Sequence, residues 1–161
     1  LFAFRIYTGA RREEITQLTL SDVAEDHIKI RATKTRAGNR SVPINRQLRP
    51  IIDTLIASNP SLSLDAYLLF NLTTNRYEKR SLQVGKRFSR LKTKLGFGDQ
   101  HDFHSIRKTV STQLEQAGVS EGVSADILGH EKKTMTYGLY SGGTSMEQKT
   151  TAINLIDYGL T

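Results

Sequence analysis

The chain reads as an α+β domain that is mainly α-helical and carries one small antiparallel β-sheet. Three observations predict this. Apolar residues recur at three- and four-residue spacing, as in Val84, Phe88, Leu91 and Leu95, the stripe of a helix packed on one side. One stretch, Ile28-Lys29-Ile30-Arg31-Ala32, instead alternates apolar and charged residues, which is the period of a half-buried strand. Helix stops and starts, among them Gly9, Asn45, Ser81 and Gly118, punctuate the remainder.

Taken in order, the apolar run from Leu1 to Tyr7 is a helix stopped by Gly9, and a second helix follows through Ile15 and Leu18. The alternating strand leads to a turn at Arg36-Ala37-Gly38-Asn39 and then to Ser41-Val42-Pro43-Ile44, so the pair forms a hairpin. Pro43 has no amide hydrogen for a ladder, which places it at a sheet edge or near a strand end. Asn45 is a candidate cap for a helix through Leu48, Ile51, Ile52 and Leu55, with Pro50 near its first turn and Asn59-Pro60-Ser61 as its break. Tyr67-Leu68-Leu69-Phe70 is a short apolar run compatible with a strand. Ser81 is a candidate cap for the helix bearing the Val84 stripe, with Lys86 and Arg90 opposite it and Lys94 flanking. A further helix starts at Asp102 or Phe103 and continues to Gln116. Helical stretches follow over Ser120 to Leu128, Thr134 to Tyr140 and Thr144 to Ile156. No internal repeat or low-complexity segment interrupts this order.

A length of 161 residues fits one domain, 1–161. Hydrophobic content of 37% and a charged share of 24% are those of an ordinary globule. No apolar run reaches the roughly 20 residues of a membrane helix, and no leader of the secretory type is visible. The start on Leu1-Phe2-Ala3-Phe4, without methionine, reads as a helix entered midway, with something expected before it. The absence of cysteine excludes disulfides, thiolate metal sites and cysteine nucleophiles, and suits a cytoplasmic location. Acidic residues are scattered and form no metal-ligand pattern. A net charge of +7 attracts polyanions whatever their sequence, although plain solubility also fits it.

Against this background five pieces stand out in order. They are Arg11 with Glu14 after Thr8-Gly9-Ala10, Lys34 between Thr33 and Thr35, His104-Ser105-Ile106-Arg107, Leu128-Gly129-His130, and Tyr140. An arginine fork binds two phosphate oxygens and stays charged at working pH. Arg11 falls in the first turn of its expected helix, with Glu14 one turn on, and Arg107 lies one turn after His104. A lysine titrating near 10.4 can give a proton at neutral pH, and a tyrosine hydroxyl can attack phosphorus. Each piece alone is compatible with solvated surface. Together they make a set suited to phosphoryl transfer.

This ordered set resembles the catalytic domain of the tyrosine recombinases, the phage integrase family, over nearly the whole chain. The resemblance implies the tyrosine recombinase catalytic-domain fold and a site-specific DNA recombinase or integrase. In such enzymes the tyrosine attacks a DNA phosphodiester, forming a 3′-phosphotyrosyl link and freeing a 5′-hydroxyl, and a partner strand's 5′-hydroxyl reverses the step. Neither metal nor other cofactor is implied. Carried onto this chain, Arg11 and Arg107 clamp the phosphate and Glu14 orients the site. Lys34 protonates the leaving oxygen, His104 and His130 hydrogen-bond the phosphate or move protons, and Tyr140 is the nucleophile. Tyr140 lies ten residues beyond His130 and Tyr137 seven; the family spacing of roughly nine or ten favours Tyr140.

The implied partners are double-stranded DNA and further copies of the chain in a tetrameric synapse, with no membrane. An N-terminal DNA-binding domain would lie outside 1–161. Two related readings share the motifs: a type IB topoisomerase-like enzyme, and a DNA-binding module of this fold without catalysis. Arg12 duplicates the charge of Arg11, Arg36 and Arg40 make the hairpin unusually basic, and His27 and His101 fit no motif. Ile153, Leu155 and Ile156 suit either an internal helix or a tail docked on a neighbouring copy.

Overall fold

In the computed structural model, residues 1–31, 38–74, 80–130 and 143–159 are described. Lys34, Tyr137, Tyr140, the expected helix over 134–140 and much of the hairpin turn lie outside them. Helix α1 (Phe2–Thr8) ends as expected at Gly9, whose φ of +62° is left-handed. The glycine is required twice over, because a Cβ there would lie 2.4 Å from Leu128 Cδ2.

Helix α2 (Arg12–Thr16) is shorter than its apolar spacing predicts. Leu18 leaves it to accept a backbone hydrogen bond from Leu68 at 2.8 Å, so tertiary pairing ends the helix early. A 3-10 turn over Leu20–Asp22 follows, with Asp22 Oδ2 accepting from Thr19 N and Thr19 Oγ1. Strand β1 (His27–Ile30) pairs antiparallel with β2 (Arg40–Pro43), Ile28 opposite Val42 and Ile30 opposite Arg40. Two strands alone are marginal in water. These are held because Ile28, Ile30 and Val42 sit in the core.

Helix α3 (Arg49–Ala57) carries Pro50 in its first turn but is capped by Leu48, not Asn45. Asn45 is fully buried, and its amide donates to the carbonyls of Ile153 (2.8 Å) and Ile156 (3.2 Å). Its amide nitrogen thus ties down the far end of the chain, while its Oδ1 accepts from Gln47 N at 2.8 Å in the turn that leads into α3. Tyr67–Phe70 forms no strand; one isolated bridge, Thr19 with Tyr67, is all the pairing it makes. Leu68 and Leu69 are buried there without a ladder, Leu68 N donating to Leu18 O and Leu69 O accepting from Arg80 Nη2 at 2.6 Å.

Helix α4 (Ser81–Lys94) is capped by Arg80, and Ser81 points instead to Glu13 Oε1 at 3.2 Å. Its stripe is only half covered, since Val84 is buried while Leu91 and Leu95 are exposed. Lys86, Arg87, Arg90 and Lys94 face solvent. Helix α5 (Ser105–Gln116) starts later than expected, with His104 as its cap residue. Asp102 takes the capping bonds, its Oδ1 accepting from Ser105 N at 2.7 Å.

Helix α6 (Glu121–Leu128) is capped by Ser120 and ends at left-handed Gly129. Helix α7 (Met146–Asn154) is capped by Ser145. Helix α1 packs on α5, and α6 packs on α5, α7 and β2. Ile153 and Ile156 are buried in the chain's own core while Leu155 is exposed, so those two apolar residues are occupied within the molecule. Among the described residues no helix is long and apolar enough to cross a membrane.

Candidate active site

The turn after α1 presents Arg11. Thr8 Oγ1 donates to Phe4 O and accepts from Ala10 N at 3.1 Å, bending the chain out of the helix. Arg11 is thereby the residue before α2, with extended backbone, rather than a member of its first turn. Glu14 reaches back: its carboxylate accepts from Arg11 N at 2.7 Å and from Arg11 Nη1 at 2.8 Å. Arg11 keeps 42% of its side chain exposed, whereas Glu14 keeps 5%. The acid is internal and the arginine is held at the surface by it.

Arg40 of β2, which reads in the sequence as surplus hairpin charge, meets the same carboxylate. Its Nη2 and Nη1 donate to Glu14 Oε2 (3.0 Å) and Oε1 (3.2 Å), and its side chain is 5% exposed. Nε donates to Ile127 O at 2.7 Å, tying the hairpin to the end of α6. Gly129 makes room, since a Cβ there would lie 2.6 Å from Arg40 Nη1. Burial alone would raise the Glu14 carboxyl, but Arg40 and Arg11 outweigh it and hold the group below its usual range. The neighbouring acid and base behave differently. Glu13 is exposed and pairs with Arg12, so the second charge of each pair belongs to the surface.

Arg107 comes to this place from α5. It is 3% exposed, Nη1 donates to Gly9 O at 2.8 Å and Nη2 to Leu128 O. It thus joins the Thr-Gly-Ala-Arg turn to the Leu-Gly-His turn across 98 and 21 residues of sequence. Burial, and then the charges of Arg11 and Arg40, bring its guanidinium down to about 9, still charged at neutral pH.

His130, exposed just past Gly129, is depressed by desolvation and then by Arg107, Arg11 and Arg40. His104, also exposed, is lowered by desolvation first and by Arg5 next. The position of His104 is set by Phe103, which packs edge-on against Phe88 at 5.5 Å and Phe2 at 5.9 Å. A cleft of about 300 Å³ opens between Arg11, Arg12, Phe103 and His104, with Arg5 in its wall.

Arg11, Glu14, His104, Arg107 and His130 are therefore neighbours although they come from separate segments. Lys34 and Tyr140 lie outside the described residues. The flanks of the Tyr140 segment are both attached to α6, because His130 follows its end and Thr144 N donates to Asp126 Oδ2 at 2.8 Å. Arg5 and Arg40 are the residues that sequence reasoning passed over. A lone charge inside the apolar run Phe4-Arg5-Ile6-Tyr7 is the one signal that could have marked Arg5. Nothing local separates Arg40 from Arg36.

Chemically, the guanidinium groups of Arg11 and Arg40 bond one buried carboxylate, and those of Arg5 and Arg107 lie near enough to feel its charge without contacting it. The remaining positive field disfavours protonated histidine and favours an incoming anion. Among the described residues no cluster of three or more His, Asp or Glu side chains could hold a metal ion.

The fold is that of solved recombinase structures. XerA recombinase matches at TM-score 0.63 and 22% identity, over 87% of this chain and 52% of that one. The Tn1549 transposon integrase, solved in complex with circular intermediate DNA, matches at TM-score 0.65 and 24% identity, over 88% and 52%. A lambda integrase tetramer bound to a Holliday junction matches at TM-score 0.59 and 18% identity, over 82% and 40%. This chain thus spans about half the length of the first two and less of the third. No curated protein sequence matches it. The phage integrase family model matches residues 1–144, which takes in every motif of the site, and the chain belongs to the phage integrase family.

Proposed function

We propose that this chain supplies the catalytic domain of a site-specific DNA recombinase, which breaks and rejoins DNA through a 3′-phosphotyrosyl intermediate. The observation that carries the reading is the meeting of Arg11 and Arg107 over the turns at Gly9 and Gly129, with both histidines exposed beside them. Each terminal nitrogen of Arg107 gives one hydrogen to a carbonyl and keeps another for a ligand. Arg11 is anchored by Glu14 and open to solvent. That is a clamp for a phosphodiester, preorganised because its charges are fixed before the anion arrives.

In this reading Tyr140 attacks phosphorus, its hydroxyl proton leaves, and the bond to the 5′-oxygen breaks as Lys34 gives that oxygen a proton. His104 and His130, whose protonation is disfavoured by partial desolvation and the surrounding arginines, donate or accept hydrogen bonds at the phosphate. The phosphotyrosyl link conserves the bond, so a 5′-hydroxyl of a second strand can reverse the step. The partner is double-stranded DNA, gripped in part by the exposed lysines and arginines of α4. The working assembly is a synapse of several copies, completed by an N-terminal DNA-binding domain outside residues 1–161, and the setting is the cytoplasm.

The test is incubation with a nicked duplex that traps the covalent product, followed by denaturing electrophoresis. A protein–DNA adduct is expected, lost in Tyr140→Phe and kept in Tyr137→Phe. Gel retardation without any adduct would make the chain a binding module. Relaxation of supercoiled DNA by a single copy would place it with type IB topoisomerase-like enzymes. An adduct peptide containing Tyr137 would overturn the choice of nucleophile.

A further inference from the structure

Arg5 is 2% exposed, on the face of α1 that packs into the protein beside Phe4. Taking a guanidinium out of water costs several kcal/mol unless it is paired. Among the described residues no carboxylate is in ion-pair contact with it, and its Nε has no hydrogen-bond partner. A side chain placed here for packing alone would be apolar. What Arg5 does touch is specific. Nη1 donates to the carbonyl of Ala10 and, at 3.5 Å, to that of Gly9, and its Cζ lies 5.1 Å from the centre of the Phe103 ring. Ala10 immediately precedes Arg11, and Phe103 immediately precedes His104.

We propose that Arg5 is a positioning residue of the strand-cleavage site, holding the Gly9–Ala10 turn and the Phe103 ring together so that Arg11 and His104 face one cleft. This rests on the strand-cleavage reading above for what the cleft does, but the pinning itself does not. Arg107 donates to the same Gly9 carbonyl at 2.8 Å. The turn that presents Arg11 is thus bonded by two buried guanidiniums, one from α1 and one from α5. The planar fork and stacking face of arginine serve this geometry, and a lysine ammonium has neither. Burial brings Arg5 down to about 10, so it remains charged at neutral pH.

The experiment compares Arg5→Met, which keeps the length of the stem, and Arg5→Lys, which keeps the charge, with wild type. The first readout is single-turnover cleavage of a nicked duplex over a range of DNA concentrations. Cleavage at saturating DNA should fall by about 10- to 100-fold in both variants, the scale of a small misplacement of a reacting group. The half-saturating DNA concentration should stay within about threefold. The second readout is hydrogen exchange at the amides of Ala10 and Arg11, which should quicken by about tenfold or more while those of Val110 and Leu114 hold.

Full activity in Arg5→Lys would mean that charge alone matters, and would overturn the proposal. So would a loss that appears wholly in DNA affinity, or unchanged exchange at Ala10 and Arg11. If wild type forms no covalent adduct, the strand-cleavage reading falls, and the exchange result by itself decides the pinning.

Discussion

Arg40→Ala is the perturbation that most directly tests how this site is built. The side chain is 5% exposed and makes bonds of 3.0 and 3.2 Å to Glu14, 2.7 Å to Ile127 O and 2.8 Å to Gly38 O. Removing one partner of a buried ion pair leaves the other charge uncompensated, at a cost of about 3–5 kcal/mol. Arg11 still donates twice to Glu14, which puts the expected loss at the low end, about 3 kcal/mol. In a domain of this size that lowers Tm by roughly 6–12 °C.

The pH dependence has a definite sign. Glu14 is held below its ordinary carboxyl value, so its pairing contributes fully above the unfolded value of about 4.3 and is lost as pH falls through the folded value. The gap between wild type and Arg40→Ala should therefore narrow as pH drops from about 6 to about 3. The assay is urea and thermal unfolding followed by circular dichroism, with Arg12→Ala as control. Arg12 forms a largely exposed pair with Glu13, worth about 0–1 kcal/mol. A cost under about 1 kcal/mol for Arg40→Ala at pH 7, or a gap indifferent to pH, would refute the account of Arg40 and Glu14 as a structural unit.

Other outcomes follow from the same geometry. Gly129→Ala should cost at least about 1–2 kcal/mol in urea unfolding, because φ is +70° and the new Cβ meets Arg40; a neutral change would contradict that contact. Arg11→Ala should fold normally and lose about 10²–10³ in cleavage rate. Arg107→Ala should lose as much and also unfold more easily, since the carbonyls of Gly9 and Leu128 are left without its donors. Equal melting temperatures for wild type and Arg107→Ala would count against its buried role. DNA affinity should fall steeply between low and physiological salt, as measured by fluorescence anisotropy, and a flat response would remove the basic surface from the argument.

Much of the architecture is written locally. Gly9, Ser120, Gly129 and Ser145 end or start helices where they stand, because backbone dihedrals and capping bonds involve residues within one turn. The hairpin, with Pro43 at the end of its strand, and the order of the arginine and histidine motifs are legible for the same reason. Where local spacing misled, a distant partner had intervened. Leu68 shortened α2, Ile153 and Ile156 claimed Asn45, and packing without a ladder buried Leu68 and Leu69.

The site divides along the same line. Arg11, Glu14, His104, Arg107 and His130 are singled out as candidates by residue type and order. Which acid is internal, and why Arg40 and Arg5 belong with them, is not visible there. Glu13 and Glu14 are adjacent in sequence, yet only Glu14 meets Arg40, 26 residues away. Arg40 in turn reaches Ile127 across 87 residues, and Arg11 reaches Gly129 across 118. A charged side chain carries no local mark of whether it will be solvated or buried against a carbonyl. Its partners are assigned only when the helices close on the hairpin.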